Sequence, residues 1–197
     1  MTKRISSQIL IMAIAVVLAG CGGSKNRIGK GSSKVKPIQL KYGSILGVDP
    51  KEITNEKVYH FIDEWMGTPY ILGGESKRGI DCSAFAQYFY VDVYGYRLER
   101  TANKMYTAKS TDKFVGQEFL KEGDILFFKK PKSKNETVTH VGVYLKNNKF
   151  VSASGYRGPE RITGVKISDL NHPWWQERLI CAGRKPLPVH MYSTKEQ

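Results

Sequence analysis

The chain has 197 residues, 41% hydrophobic and 11% aromatic, and a formal net charge of +13 from 31 Lys and Arg against 18 Asp and Glu. That composition excludes a disordered chain and suits one domain of ordinary size with a buried core. Three cysteines cannot all pair within a disulfide framework, so each asks for its own role.

Excess basic charge fits nucleic acid, an anionic membrane or an acidic polymer equally well, and the N-terminus decides among them. Lys3 and Arg4 form a short positive segment, followed by an apolar stretch from Ile9 to Ala19 that ends in Leu18-Ala19-Gly20-Cys21. Eleven apolar residues rise only about 16 Å as a helix, too short to cross a bilayer core. Residues 1–20 therefore predict a cleaved export signal. Small residues just before a cysteine resemble the bacterial lipobox. That resemblance implies acylation of Cys21 and a membrane-anchored lipoprotein of the cell envelope, in the outer membrane where a bacterium has two. Gly22 follows the cysteine, so no inner-membrane retention signal is implied. An envelope location removes nucleic acid as a partner and places Cys82 and Cys181 where disulfides are permitted.

Residues 21–48 are rich in Gly, Ser and Lys, carry no acid, and predict a flexible basic tether. Gly29-Lys30 fails the phosphate-loop spacing, with Ser24 at the first glycine position and Gly31 where Ser or Thr should follow. The folded domain is expected over 49–186 and a short tail over 187–197. The charge divides accordingly: two units leave with the signal, six lie in the tether and four in Lys129, Lys130, Lys132 and Lys134. The rest of the body carries a net charge of one. Anionic headgroups or wall polymers are the expected electrostatic partners of the basic segments.

Within the domain, Thr54 or Asn55 can cap a helix with Val58, Phe61, Ile62, Trp65 and Met66 along one face. His60 lies off that face, at the surface. Gly67-Thr68-Pro69-Tyr70 breaks the helix, and Gly73, Gly74 and Gly79 predict an irregular stretch. Asp81 then precedes a second helix with Phe85, Tyr88, Phe89 and Val93 on one face, closed by Gly95. A short third helix is expected over Asn103 to Lys109. After the turn at Gly123-Asp124 the period changes. Ile125 to Phe128 reads as a strand, Val138–Leu145 and Lys149–Ser154 as a hairpin, and Leu179–Gly183 as a last strand containing a core Cys181. Helices followed by antiparallel strands define an α+β fold.

A cysteine in the first turn of a helix faces unpaired N–H groups and the positive end of the helix dipole, which favour thiolate. Cys82 holds that position between Asp81 and Ser83. His140, on an alternating strand 58 residues later, is its best partner for a thiolate–imidazolium pair.

The text around these two residues resembles the NlpC/P60 family of papain-like cell-wall peptidases. The residues that carry the likeness are Gly67-Thr68-Pro69-Tyr70, Gly73-Gly74, Gly79-Ile80-Asp81-Cys82-Ser83, Arg100-Thr101, Gly123 to Phe128, and Thr139 to Tyr144. The resemblance runs from about Asn55 to Arg184. It implies N-terminal helices packed on an antiparallel sheet, Cys82 as nucleophile, and His140 as base and then acid. It also implies Tyr70 near the oxyanion, with Asp81 and Ser83 binding the stem peptide. The implied substrate is peptidoglycan, cut at the γ-D-glutamyl bond to a diamino acid, by a monomer that needs no metal or organic cofactor.

The family's third polar residue, which orients the histidine, falls here on Ser152, twelve residues after His140. A hydroxyl can accept from an imidazole N–H but is short and rotatable. Ala84 stands where Gly is usual, and Met105 where Gln often stands; packing is the expected use of Met105. His172, beside Pro173-Trp174-Trp175, and His190 in the tail are weaker third members, and the two tryptophans are expected to wedge against the sheet. Two other functions stay open: a low-activity or inactive peptidoglycan-binding lipoprotein, and an acyl-transfer or amidase enzyme acting on another envelope substrate.

Overall fold

The computed structural model describes residues 34–132, 137–156 and 160–186. The export signal, Cys21, residues 21–33 of the basic segment, His190 and the tail at 187–197 lie outside the described residues.

The first element corrects the tether. Residues Pro37–Leu46 form an α-helix, α1, with Ile38, Tyr42 and Leu46 buried. Those three recur every fourth position and make one narrow stripe, while Pro37 at the first helical position and left-handed Gly47 punctuate the two ends. The Tyr42 hydroxyl donates to Asp63 Oδ1 at 2.6 Å, and its ring packs 4.7 Å from that of Tyr59. Lys41 and Ser44 on the outer face, and a glycine at buried position 43, masked the stripe.

A turn of 3₁₀ helix, Pro50–Glu52, leads to α2, Glu56–Trp65. Val58, Phe61, Ile62 and Trp65 are buried as the period predicts, and His60 is exposed. Met66 is not on that face: the helix stops at Trp65, and Met66 turns extended and is 40% exposed. The glycine-rich stretch holds a two-stranded ribbon of β1, Glu75–Ser76, and β2, Gly79–Ile80. Gly74 is set by close approach, since a Cβ there would lie 2.4 Å from the Gly79 carbonyl oxygen, whereas Gly73 is set by its φ of +77°.

Helix α3, Cys82–Tyr94, is the central helix, buried along most of its length and closed by left-handed Gly95. The short α4 spans Ala102–Thr107 and is capped by Thr101. Six strands follow: β3 Asp112–Phe114, β4 Ile125–Phe128, β5 His140–Tyr144, β6 Lys149–Ser154, β7 Gly164–Asp169 and β8 Leu179–Arg184. Between the last two lies the four-residue helix α5, Pro173–Gln176. The strands form one antiparallel sheet in the order β3-β8-β4-β5-β6-β7. The α+β class with helices on an antiparallel sheet is thus the observed architecture.

The sheet is covered on both faces. Val141, Val143, Val151 and Ala153 join the helices in the larger cluster, which contains Cys82, Met105 and Cys181. Leu126, Phe128, Phe150 and Trp175 form a second cluster. Alternation along β5 and β6 therefore sends neighbouring side chains to opposite layers, which sets up the site.

Candidate active site

Cys82 opens α3, and the preceding Asp81 is its N-cap. The Asp81 Oδ1 accepts from the Ala84 N–H at 2.7 Å, from the Ser83 hydroxyl at 2.9 Å and from Arg100 at 3.2 Å. Its Oδ2 accepts from the Gly73 N–H at 3.1 Å and from Arg100 at 3.0 Å. Five donors more than fill the about four lone-pair sites of one carboxylate. Arg100 and the other donors hold the carboxyl below the ordinary range against the opposing effect of burial, which is the largest single influence. Asp81 therefore fastens the ribbon, the helix start and Arg100 together, with little capacity left to accept from a ligand. Arg100 also donates to Ser83 Oγ at 3.0 Å and to Glu75 at 2.5 Å. It sits in the cleft wall in a role that the sequence reading, which had noted it only within a motif, did not assign.

Cys82 is 6% exposed as a residue, and its thiol is buried. Burial pushes it up to about 11, opposed by the backbone of Val141 and, more weakly, by those of Ser83 and Cys82, and reinforced by nearby Asp81. The helix start alone predicts a lowered value; desolvation outweighs it here. Contact with the Val141 backbone puts the sulfur one residue from His140.

His140 is the first residue of β5 and is buried. Its Nε2 is 3.2 Å from Ser152 Oγ on β6, as expected for the third position. The ring stacks on Trp175 (5.7 Å between centroids, 25° between planes) and packs 5.7 Å from Phe128. Burial lowers its pKa to about 3, with the cations Arg178 and Lys166 acting in the same direction. At neutral pH the pair thus rests as thiol and neutral imidazole. With Nε2 engaged by Ser152, Nδ1 is the ring nitrogen with no side-chain partner among the described residues.

Tyr70 is half-buried and bridges to Ile80, directly before the Asp81-Cys82 pair. Its ring packs on Gly155, where a Cβ would lie only 2.8 Å away. Burial first, then Cys82, Asp81 and Tyr156, push its phenol up to about 12, so it stays a donor. Tyr70, Cys82, Ser83, Arg100 and Thr139 line one open cleft of about 520 Å³. A larger groove of about 920 Å³ runs between the end of α1 and the Tyr144–Asn147 turn and is lined by neither cysteine nor histidine, so its size does not locate the chemistry.

The remaining candidates are placed as follows. Met105 and Trp175 are core residues, whereas Trp174 is only partly buried. His172 caps α5, its Nδ1 accepting from the Trp174 N–H at 3.2 Å, on the exposed surface. The Gly-Asp turn of the fourth strand is structural: Asp124 binds Arg184 at 2.7 and 2.8 Å. Gly142 leaves room for Phe150, which a Cβ would meet at 2.5 Å. Among the described residues there is no group of three or more His, Cys, Asp or Glu able to hold a metal ion.

A helix-start cysteine and a strand histidine on an α+β frame define the class of papain-like thiol hydrolases. The NlpC/P60 family profile matches residues 67–184, and the chain belongs to that family. It is 32% identical over 177 residues to the Escherichia coli K12 protein named murein DD-endopeptidase MepS/murein LD-carboxypeptidase, covering 85% of each chain. It is also 41% identical over 114 residues to a Haemophilus influenzae probable endopeptidase, covering 58% of this chain and 64% of that one. A solved Staphylococcus aureus NLP/P60 lipoprotein-like structure matches with a TM-score of 0.55 at 30% identity, over 67% of this chain and 41% of that chain. The chain thus spans less than two thirds of the last two proteins.

Proposed function

We propose that the chain is a cysteine endopeptidase that hydrolyses peptidoglycan stem peptides, anchored to the envelope by lipid on Cys21. The observation that carries this reading is the thiol of Cys82, held at the α3 start in an open cleft and against the backbone of Val141, the residue after His140, whose ring meets Ser152. Neutral His140 takes the thiol proton as the sulfur attacks the amide carbon. The oxyanion forms near the N–H groups of the helix start and the protonated Tyr70 hydroxyl. Collapse breaks the C–N bond, His140 returns the proton to the departing amine, and a thioester remains. Water, deprotonated by His140, then releases the acid and restores the thiol. Asp81 serves by organising Ser83 and Arg100, while Ser83 and Tyr70 meet the peptide.

Two bonds are candidates. The family likeness implies the γ-D-glutamyl bond to the diamino acid. The name of the Escherichia coli relative MepS favours instead a D-alanyl cross-link. Mass spectrometry of a whole sacculus digest separates them: new N-terminal diamino acids freed from glutamate support the first, and cross-linked dimers resolved to monomers support the second. Cys82→Ala must produce neither set. If that variant digests as fast as the parent, the mechanism fails, and acyl adducts in place of hydrolysed bonds would identify a transferase. Loss of membrane attachment on Cys21→Ser tests the anchor.

A further inference from the structure

Free positive charge collects at the edge of the Cys82 cleft rather than inside it. Within the cleft wall, Arg100 is spent on Asp81 at 3.0 Å and on Glu75 at 2.5 Å. Four lysines stand outside. Lys104 is exposed on α4, next to the cleft-lining Asn103. Lys129, Lys130 and Lys132 follow the end of β4, whose last residue, Phe128, lies opposite His140. The Thr139 N–H donates to the Phe128 carbonyl at 2.9 Å, so these three start beside the Val138–Thr139 segment that lines the same cleft. Helix α4 packs on β4 through Tyr106 and Phe127, whose ring centroids lie 5.4 Å apart, and this brings the two groups to one side of the molecule. Lys130 and Lys132 are exposed and Lys129 is half-buried. None of the four makes an ion pair or a side-chain hydrogen bond among the described residues.

The opposite end of β5 is different. The groove beyond Tyr144 carries Asp49, Glu52 and Glu122 against Lys121 and Lys146. Unpaired cations therefore gather at the His140 end of the strand. Neighbouring unpaired cations sum their fields, and the sum raises the local concentration of an anionic partner. A bilayer and the wall polymer are both anionic, and the position of the cleft decides between them. A bilayer lying on these lysines would cover the cleft mouth, whereas a polymer that enters the cleft runs past them.

We propose that Lys104, Lys129, Lys130 and Lys132 form a docking rim that holds carboxylates of the peptidoglycan network outside the cleft, on stems other than the one being cut, and so turns the Cys82 cleft towards the wall. The rim gives a preference for the polymer over a soluble fragment. It rests on the peptidoglycan reading of the cleft, and binding without turnover tests it separately.

The probe is purified sacculi free of attached phosphate polymers, intact or with their carboxylates amidated, pelleted with the full chain carrying Cys82→Ala. Replacing all four lysines by Gln should weaken binding to intact sacculi roughly tenfold at about 0.01 M salt. The difference should shrink severalfold at about 0.15 M, as the screening length falls from about 30 to 8 Å. Arg at the four positions should bind as the parent does, and amidated sacculi should bind the parent and the Gln variant alike. A control that removes equal charge from Lys25, Arg27, Lys30 and Lys34 should keep most of the parent's binding. Melting points should match the parent's, because no ion pair is lost. Undiminished binding by the Gln variant overturns the proposal, as does an equal loss in the control or in the Arg variant. A difference that survives amidation also overturns it. So does a larger loss on phosphatidylglycerol vesicles than on sacculi, which would assign the lysines to the membrane. Cleavage is scored apart, in the chain with Cys82 intact. Rim-dependent binding without cleavage retires the peptidase reading alone, and equal low-salt cleavage of sacculi with and without the four lysines retires the rim alone.

Discussion

Ser152→Ala removes the one side-chain hydrogen bond that the His140 ring makes among the described residues, at 3.2 Å. That length is at the long end for a hydrogen bond from nitrogen to oxygen. A neutral buried pair contributes about 0.5–1.5 kcal/mol net, which corresponds to roughly two- to tenfold in rate if all of it serves to orient the base. The Trp175 stack and the Phe128 contact remain and keep the ring near its position. The loss should thus stop far short of the roughly 10⁴-fold fall that follows a wrong tautomer in another enzyme class. Ser152 is fully buried and is not among the residues lining the cleft, so substrate affinity should not change. Steady-state cleavage of a purified muropeptide should show kcat lowered two- to tenfold at constant KM. A fall of a thousandfold would mean that the hydroxyl alone sets the tautomer, and an unchanged kcat would mean that the aromatic rings place the base without it. Either result refutes the reasoning.

Leu46→Ala should cost about 2–5 kcal/mol in urea unfolding, as a fully buried core truncation does, whereas a tether would show no effect. Asp81→Ala should cost about 2 kcal/mol. The lost cap supplies about half of that, and the ion pair adds only a discounted share, because Arg100 is 34% exposed and keeps Glu75. Since the folded Asp81 pKa is depressed, the difference between parent and variant should be full at neutral pH and should shrink as pH falls below about 4. His140 is held neutral in the folded state, so the unfolded chain takes up a proton first, and stability should fall as pH drops from about 6.5 towards 3. Urea titrations at several pH values should show a shallower acid slope for His140→Gln, and equal slopes would contradict the burial of a neutral ring.

Much of the site was legible because local chemistry writes it: Asp81 caps α3, Gly95 closes it, and the Thr139–Tyr144 alternation fixes which face His140 takes. The spacing of β5 and β6 even placed Ser152 against the ring. What escaped was tertiary. The α1 stripe has only three apolar members in ten residues and reads as core once Asp63 and Tyr59 are seen to meet it. Strand β7 hides because its buried residues include Ser168 and Lys166, and the burial of Lys166 depends on carbonyls supplied by a neighbouring loop. The expected thiolate failed for a similar reason. A helix start is visible in sequence, but the layers that desolvate Cys82 come from β5 and β6. Arg178 gave no signal beyond the tryptophans next to it.

The electrostatics of the free enzyme then oppose its own chemistry. Burial holds the Cys82 proton on sulfur and keeps His140 from accepting one, and Arg178 and Lys166 add to the second effect. Lys166 pairs with Glu160 at 3.1 Å, whereas the Arg178 side-chain nitrogens have no hydrogen-bond acceptor among the described residues. Arg178→Gln removes one of those two cations. Cys82 in that variant should react faster with iodoacetamide at neutral pH than in the parent, and His140→Gln added to it should erase the gain. An unchanged alkylation rate would show that burial alone restrains the histidine and that Arg178 takes no part in activating the thiol.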